Sequence, residues 1–283
     1  MFQPSQYANL TADEIVRTHV SELMRARVIT VLIVLACGAG AFASMFTLLG
    51  VAQVVGYLVF MALMFTVPFM FITRYMNKHF FGLRSILLQD CDAEKYCAVI
   101  EGIVPRGWLN GKRRPVFICE FAMARYYLGE FEQALELLSR MHVRSRKSVL
   151  HLQAAQIDIA SRCCLGDRPG AAASYRQALT WLADVRRNEK NQQLLADIQE
   201  TMEFTLSDPA AWGDSELAAI EQRVARAETR AEWAAWLLRR AKWELVHGDA
   251  SAARATLEPL AEGPLVPIAK RELEVLRAEA GAA

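Results

Sequence analysis

The chain has 283 residues, room for a membrane segment plus one soluble unit when a typical domain takes ~100–200 residues. Its 32 Lys and Arg against 31 Asp and Glu leave a net charge of +1, which argues against a nucleic-acid binder. Hydrophobic residues make up 53% and charged residues 22%, and the two are segregated: from Val28 to Thr73 there is no Asp, Glu, Lys, Arg or His.

In chain order, residues 1–27 form a polar leader, read as a cytoplasmic amphipathic helix. Thr11-Ala12-Asp13-Glu14 has the form of a capping box: the threonine oxygen accepts the amide of the third helical residue, and the glutamate reaches back. A helix starting near Ala12 should therefore run on into the uncharged block.

That block, 28–73, is read as lying in lipid, because a charged side chain costs about 2.5–3.5 kcal/mol at the centre of a membrane helix and none occurs here. A crossing needs ~20 residues, and one continuous helix of this length would be a ~69 Å rod, too long for a ~30 Å core. Two crossings are expected, at about 28–49 and 53–73, with the reversal among Leu49, Gly50, Val51, Ala52 and Gln53. Ala36, Gly40 and Ser44 recur at four-residue spacing, a small face that lets a neighbouring backbone approach. Pro68 is placed to kink the second crossing.

Arg17, Arg25 and Arg27 precede the block, and Arg74, Lys78 and Arg84 follow it. Basic flanks on both sides place both termini in the cytoplasm, with the hairpin in the plasma (inner) membrane and lipid around residues 28–73. Ala41-Phe42-Ala43 resembles a signal-peptidase site, but a second apolar span follows at once. The six cysteines have no framework spacing, which suits a reducing compartment.

Residues 74–114 read as a basic juxtamembrane linker. Asp92 can cap a short helix through Ala93-Glu94-Lys95-Tyr96, after which Pro105, Gly107, Asn110, Gly111 and Pro115 break the pattern.

From 115 to 283 the pattern is helical and repeats. Gly129 is followed by Ala134 and Leu138, Gly166 by Ala171, Tyr175 and Ala178, and Gly248 by Ala253, Leu257 and Leu260. A glycine can reverse the chain between antiparallel helices, and a small alanine five residues later lets the second helix cross close to the first. Between Gly166 and Gly248 there is room for a degenerate pair, near Asn188–Leu206 and Asp214–Arg230, separated by Ser207-Asp208-Pro209. Val266 to Ala280 reads as a terminal capping helix.

These positions resemble the tetratricopeptide repeat family, whose units are helix-turn-helix pairs of ~34 residues, and Tyr-Leu-Gly-Glu-Phe-Glu-Gln-Ala at Tyr127–Ala134 is the best match. The departures are Arg125, Arg162 and Glu244, which stand where the family usually has a tyrosine or similar residue. The resemblance implies an all-α chain, a two-helix transmembrane hairpin followed by a solenoid of helical hairpins. It also implies a groove lined by the first helix of each pair, with Met123, Tyr126, Tyr127, Gln153, Gln156 and Lys242 as the residues facing a protein or peptide partner. Packing against the adjacent repeat is the competing role, above all for Met123 and Tyr126.

No catalytic, cofactor or metal pattern stands out. His19, His79, His142, His151 and His247 are scattered, and the adjacent Cys163 and Cys164 point about 100° apart on a helix. Trp233, Trp236 and Trp243 share one helical stripe, expected to pack between repeats, with an exposed aromatic groove as the alternative. The expected role is a non-enzymatic membrane-anchored scaffold or assembly factor. The alternative is an accessory subunit of a membrane enzyme, transporter or secretion complex held through its hairpin.

Overall fold

The computed structural model describes residues 2–47, 50–103, 114–141, 149–185 and 189–282. Every regular element among them is a helix, and the chain divides into two compact units, Leu10–Arg84 and Met1–Asn9 with Ser85–Ala283.

The first unit is a helical hairpin. α1 (Ala12–Thr47) begins at the expected capping box: the Thr11 hydroxyl oxygen accepts from the Glu14 amide at 3.3 Å, and the Glu14 carboxylate accepts from the Thr11 amide at 2.8 Å. Gly50 turns the chain with φ +61, a region that favours glycine, and α2 (Val51–Tyr75) starts at the next residue. Ala52 and Gln53 thus belong to the second helix and not to the reversal, and α2 continues through Pro68.

The two helices pack along their length, and the small-residue face explains part of this. A Cβ on Gly40 would lie 2.6 Å from the Phe60 ring, so the aromatic ring fills the space a larger residue would need. The side chain of Ser44, the third member of that face, lies outside the described set. Inside the apolar helices, Thr30 and Thr66 donate their hydroxyls back to Ala26 and Ala62, at 2.8 and 2.9 Å. Both helices are long and apolar enough to cross a membrane, and little of their apolar surface is covered by protein: Phe46 is 73% and Phe69 71% exposed. Leaving such side chains in water forgoes about 1.5–3 kcal/mol each relative to burial.

The second unit takes up residues that the sequence assigns elsewhere. Within 74–114, α3 (Arg84–Leu88) and α4 (Ala93–Ile103) are folded parts of it, with Ile86, Leu87, Tyr96, Val99 and Ile100 buried. The cap is where it was expected, with the Lys95 amide donating to Asp92 at 2.9 Å. The linker reading fails here because Tyr96, Val99, Ile100 and Ile103 form an i, i+3, i+4, i+7 stripe that the neighbouring Pro and Gly residues mask. Residues 104–113, which include Pro105, Gly107, Asn110 and Gly111, lie outside the described residues.

The leader also divides. Residues 2–9 are not helical but lie along this unit: Lys95 Nζ donates to the carbonyls of Tyr7 and Ala8 at 2.7 and 3.1 Å, and the Phe2 ring sits 5.8 Å from that of Trp233. Only from Ala12 does the leader become helix.

The rest of the unit is an array of helices: α5 (Arg114–Leu128), α6 (Phe131–Ser139), α7 (Val149–Cys164), α8 (Arg168–Asp184), α9 (Glu189–Leu206), α10 (Asp214–Arg226), α11 (Arg230–Val246), α12 (Ala250–Leu257) and α13 (Pro267–Ala282). α5 packs on α6, α7 on α8, and α11 on α12, and α5, α7 and α9 pack in succession. α9 and α10 are different. They do not lie closely along each other and meet through long side chains: Arg223 of α10 reaches Asp197 at 2.7 Å and Glu200 at 2.6 Å on α9, while Phe204, Trp212, Ile220 and Trp236 form a separate core. Gly213 and Ala218 keep the five-residue glycine–alanine spacing at this connection, but Gly213 is extended, with φ −103, and caps α10 instead of taking the left-handed conformation. The terminal helix α13 packs on α11, α12 and also α5, so the last helix reaches the first helix of the first pair.

Candidate protein-binding face

The three glycine turns each join two paired helices, and they share one backbone design. Gly129, Gly166 and Gly248 have φ of +83, +79 and +80. Each glycine amide donates to the carbonyl three residues back (Tyr126, Cys163, Leu245), and the following amide donates to the carbonyl five back (Arg125, Arg162, Glu244), at 2.9–3.1 Å. This is the Schellman arrangement, which satisfies the orphan carbonyls of a helix end and requires the left-handed conformation. The acidic residue after each glycine starts the next helix, and Asp167 and Asp249 cap it by accepting from Gly170 and Ala252. Five residues on, Ala134, Ala171 and Ala253 are completely buried where the second helix crosses the first.

The departures at Arg125 and Arg162 have a local explanation. Arg125 Nη1 donates to Glu130 at 2.6 Å and Arg162 Nη1 to Asp167 at 2.7 Å, so in two turns the last helical arginine is clamped to the acid that opens the next helix. Arg162 also holds Asp158 at 3.0 Å. The Gly170 amide and the Arg162 guanidinium keep the Asp167 carboxyl below the usual carboxylate range. In the third turn Glu244 replaces the arginine, is buried, and accepts from Arg240 at 2.9 Å and Thr256 at 3.0 Å.

These turns place the expected partner-facing residues in different settings. Met123 and Tyr126 pack on a core of Cys119, Ala122, Ala134, Ala154 and Ile157, which is the packing role weighed against binding. The Tyr126 ring meets Tyr127 edge-on at 5.3 Å, and burial pushes its phenol far above the ordinary tyrosine range. Tyr127, Gln153 and Gln156 are half-buried, so each keeps some surface in solvent. Lys242 of α11 forms an ion pair with Glu272 of α13.

Two charged residues at this face were not singled out in the sequence. Arg239 is half-buried, with Glu272, Tyr126, Tyr127 and Arg223 near enough to act on its charge, and the loss of solvent lowers the affinity of its guanidinium for the proton. Its guanidinium lies 4.5 Å from the Trp236 ring centre and donates to Thr205 Oγ1 at 3.4 Å. Glu272 supplies the nearby negative charge. The sequence held a signal for Arg239: it stands three residues after Trp236 and four before Trp243, an arginine inside an aromatic stripe. Glu272 had no comparable signal, because only folding brings α13 to α11.

The tryptophan stripe itself packs between elements. Trp236 is buried against Phe204, Trp212 and Ile220, Trp243 donates its indole N–H to the Gly213 carbonyl at 3.2 Å, and Trp233 lies under the Arg230 guanidinium at 4.7 Å.

Arg239, Glu272 and Lys242 thus form a charge cluster close to Tyr126 and Tyr127. Burial pushes the Cys91 and Cys97 thiols up to about 11, so both stay protonated and weakly nucleophilic at neutral pH. Among the described residues no group of three His, Cys, Asp or Glu side chains is arranged to hold a metal ion. In comparison with known proteins, the chain matches no family model, no curated protein and no solved structure.

Proposed function

We propose that this chain is a membrane-anchored scaffold or assembly factor: an apolar hairpin crosses the bilayer twice, and a tetratricopeptide-like array of helical pairs on the cytoplasmic side binds a protein or peptide partner. The observation that carries this reading is the chain path. The array contains both Met1–Asn9 and Ser85–Ala283, so the chain leaves it at one end of the apolar hairpin and re-enters it at the other. A hairpin whose two ends return to one folded body needs an even number of crossings, and the basic flanks favour the cytoplasmic side. Three glycine turns with the same left-handed backbone and hydrogen-bond pattern support a repeat architecture, and Tyr127, Gln156 and the charge cluster around Lys242 supply groups for a partner. Anchoring would raise the local concentration of that partner at the membrane.

Crosslinking in native membranes, followed by identification of attached proteins, tests the reading. A stable protein partner whose crosslinks map to α5, α7 or α11 is the expected outcome. A carbonate-extractable chain with no attached protein would refute it.

A second reading has its own support in the exposed apolar side chains of the hairpin, such as Phe46 and Phe69. These suit packing against other membrane helices, as in an accessory subunit of a membrane enzyme, transporter or secretion complex. Copurification of membrane partners that survives removal of residues 115–283 would favour this reading over the first.

A further inference from the structure

We propose that Arg25, Arg74 and Lys78 form a seat for the phosphate of an anionic phospholipid headgroup at the near end of the hairpin's apolar block. The proposal rests on the reading that the hairpin crosses the bilayer, and it adds a ligand class to that reading.

Two contacts fix the register of α1 against α2. Gly40 faces the Phe60 ring, and Glu22 pairs with His79 at 2.8 Å. Antiparallel helices with those two anchors place Arg74 level with Arg27, and Lys78 within about one turn of Arg25. The cations that lie some fifty residues apart in sequence thus share one level of the hairpin.

That level is set by the apolar block. From Val28 to the end of α1 at Thr47 the helix has no charged residue, and at ~1.5 Å per residue this length matches a hydrocarbon core of ~30 Å. With the far turn at one interface, Arg25, Arg74 and Lys78 fall at the other, where headgroup phosphates lie.

The side chains are available there. Arg25, Arg74 and Lys78 are exposed, and the nearest acid in sequence, Glu22, is held by His79. Arg27 turns toward the Met24 sulfur at 3.6 Å. Three exposed cations facing an interface and held on two packed helices complement the charge of a phosphodiester, and each Lys or Arg near an anionic surface strengthens attraction about fivefold.

The test uses the full-length chain in phosphatidylcholine nanodiscs carrying trace spin-labelled phosphatidylglycerol or spin-labelled phosphatidylcholine, with the motionally restricted fraction of each label read by electron paramagnetic resonance. Phosphatidylglycerol should be restricted several-fold more than phosphatidylcholine. The preference should fall stepwise with each cation removed and reach parity in R25Q/R74Q/K78Q, and it should persist in R25K/R74K. Equal restriction of the two lipids by the wild-type chain would overturn the seat while leaving the crossing intact. Loss of the preference to millimolar inorganic phosphate, at constant ionic strength, would overturn the lipid as occupant and indicate a free-anion site. No restricted lipid of either kind would overturn the crossing and the seat together.

Discussion

Asp90 accepts both the backbone amide of Ser5, at 2.7 Å, and the Ser5 hydroxyl, across 85 residues of chain that include the whole apolar hairpin. The contact fastens the segment before the hairpin to the segment after it within one folded unit. It also explains how residues 2–9, without helical pattern, are held, since Lys95 and Trp233 hold the same segment at two further points.

Asp90→Ala should free this segment. A charge-assisted acceptor for two donors is removed, at a cost of about 1.5–3 kcal/mol for the local contact. Amide hydrogen exchange at residues 5–8 should accelerate at least tenfold, while exchange in α7 and α8 should not change. Unchanged exchange at residues 5–8 would show that Lys95 and Phe2 suffice.

The glycine turns predict a graded series. Gly166→Ala and Gly248→Ala place a Cβ in open space but force a left-handed alanine, so each should destabilise the array by about 1–2 kcal/mol. Gly129→Ala adds a contact 2.6 Å from the Arg271 guanidinium and should also loosen α13. Denaturant unfolding measures the cost, and exchange along α13 separates Gly129 from the other two.

Acid should weaken the second turn in a definable window. The Asp167 carboxyl is held below its ordinary value by the Gly170 amide and Arg162, so its contribution is present above the unfolded-state pKa of about 3.9 and is lost as pH falls through the lower folded value. The Gly170 amide resonance should follow that titration. In Asp167→Asn its acid-range shift should disappear, and a shift that persists would assign the titration to another group.

Binding and stability should separate at the inner face. Tyr126→Ala removes a partly buried ring packed on the first core and should destabilise by about 1–3 kcal/mol. Replacing Tyr127 and Gln156 together, both half-buried, should weaken partner capture without lowering the melting temperature. A comparable loss of folding in the double variant would place them in the core instead.

The features legible in the sequence were those with a local physical cause. Gly50, Gly129, Gly166 and Gly248 were readable because a left-handed backbone favours one residue type, and Thr11 and Asp92 because caps act over three residues. What escaped depended on distant partners. The stripe Tyr96–Ile103 was overshadowed by nearby helix breakers, and residues 2–9 carry no period at all. Arg125 and Arg162 looked like departures from a repeat until their pairing with Glu130 and Asp167 gave them a purpose. Glu272 entered the candidate face only because α13 packs on α11.

The central claim is most directly tested by thiol accessibility in intact cells, using single cysteines placed at Val51 and Ser251 in a background without the native cysteines. Val51 follows the hairpin turn and is 80% exposed, and Ser251 lies on the exposed side of α12. A membrane-impermeant maleimide should label Val51→Cys from outside and Ser251→Cys only after the membrane is permeabilised. Labelling of Ser251→Cys in sealed cells, or protection of Val51→Cys until permeabilisation, would contradict a double crossing with the array on the cytoplasmic side.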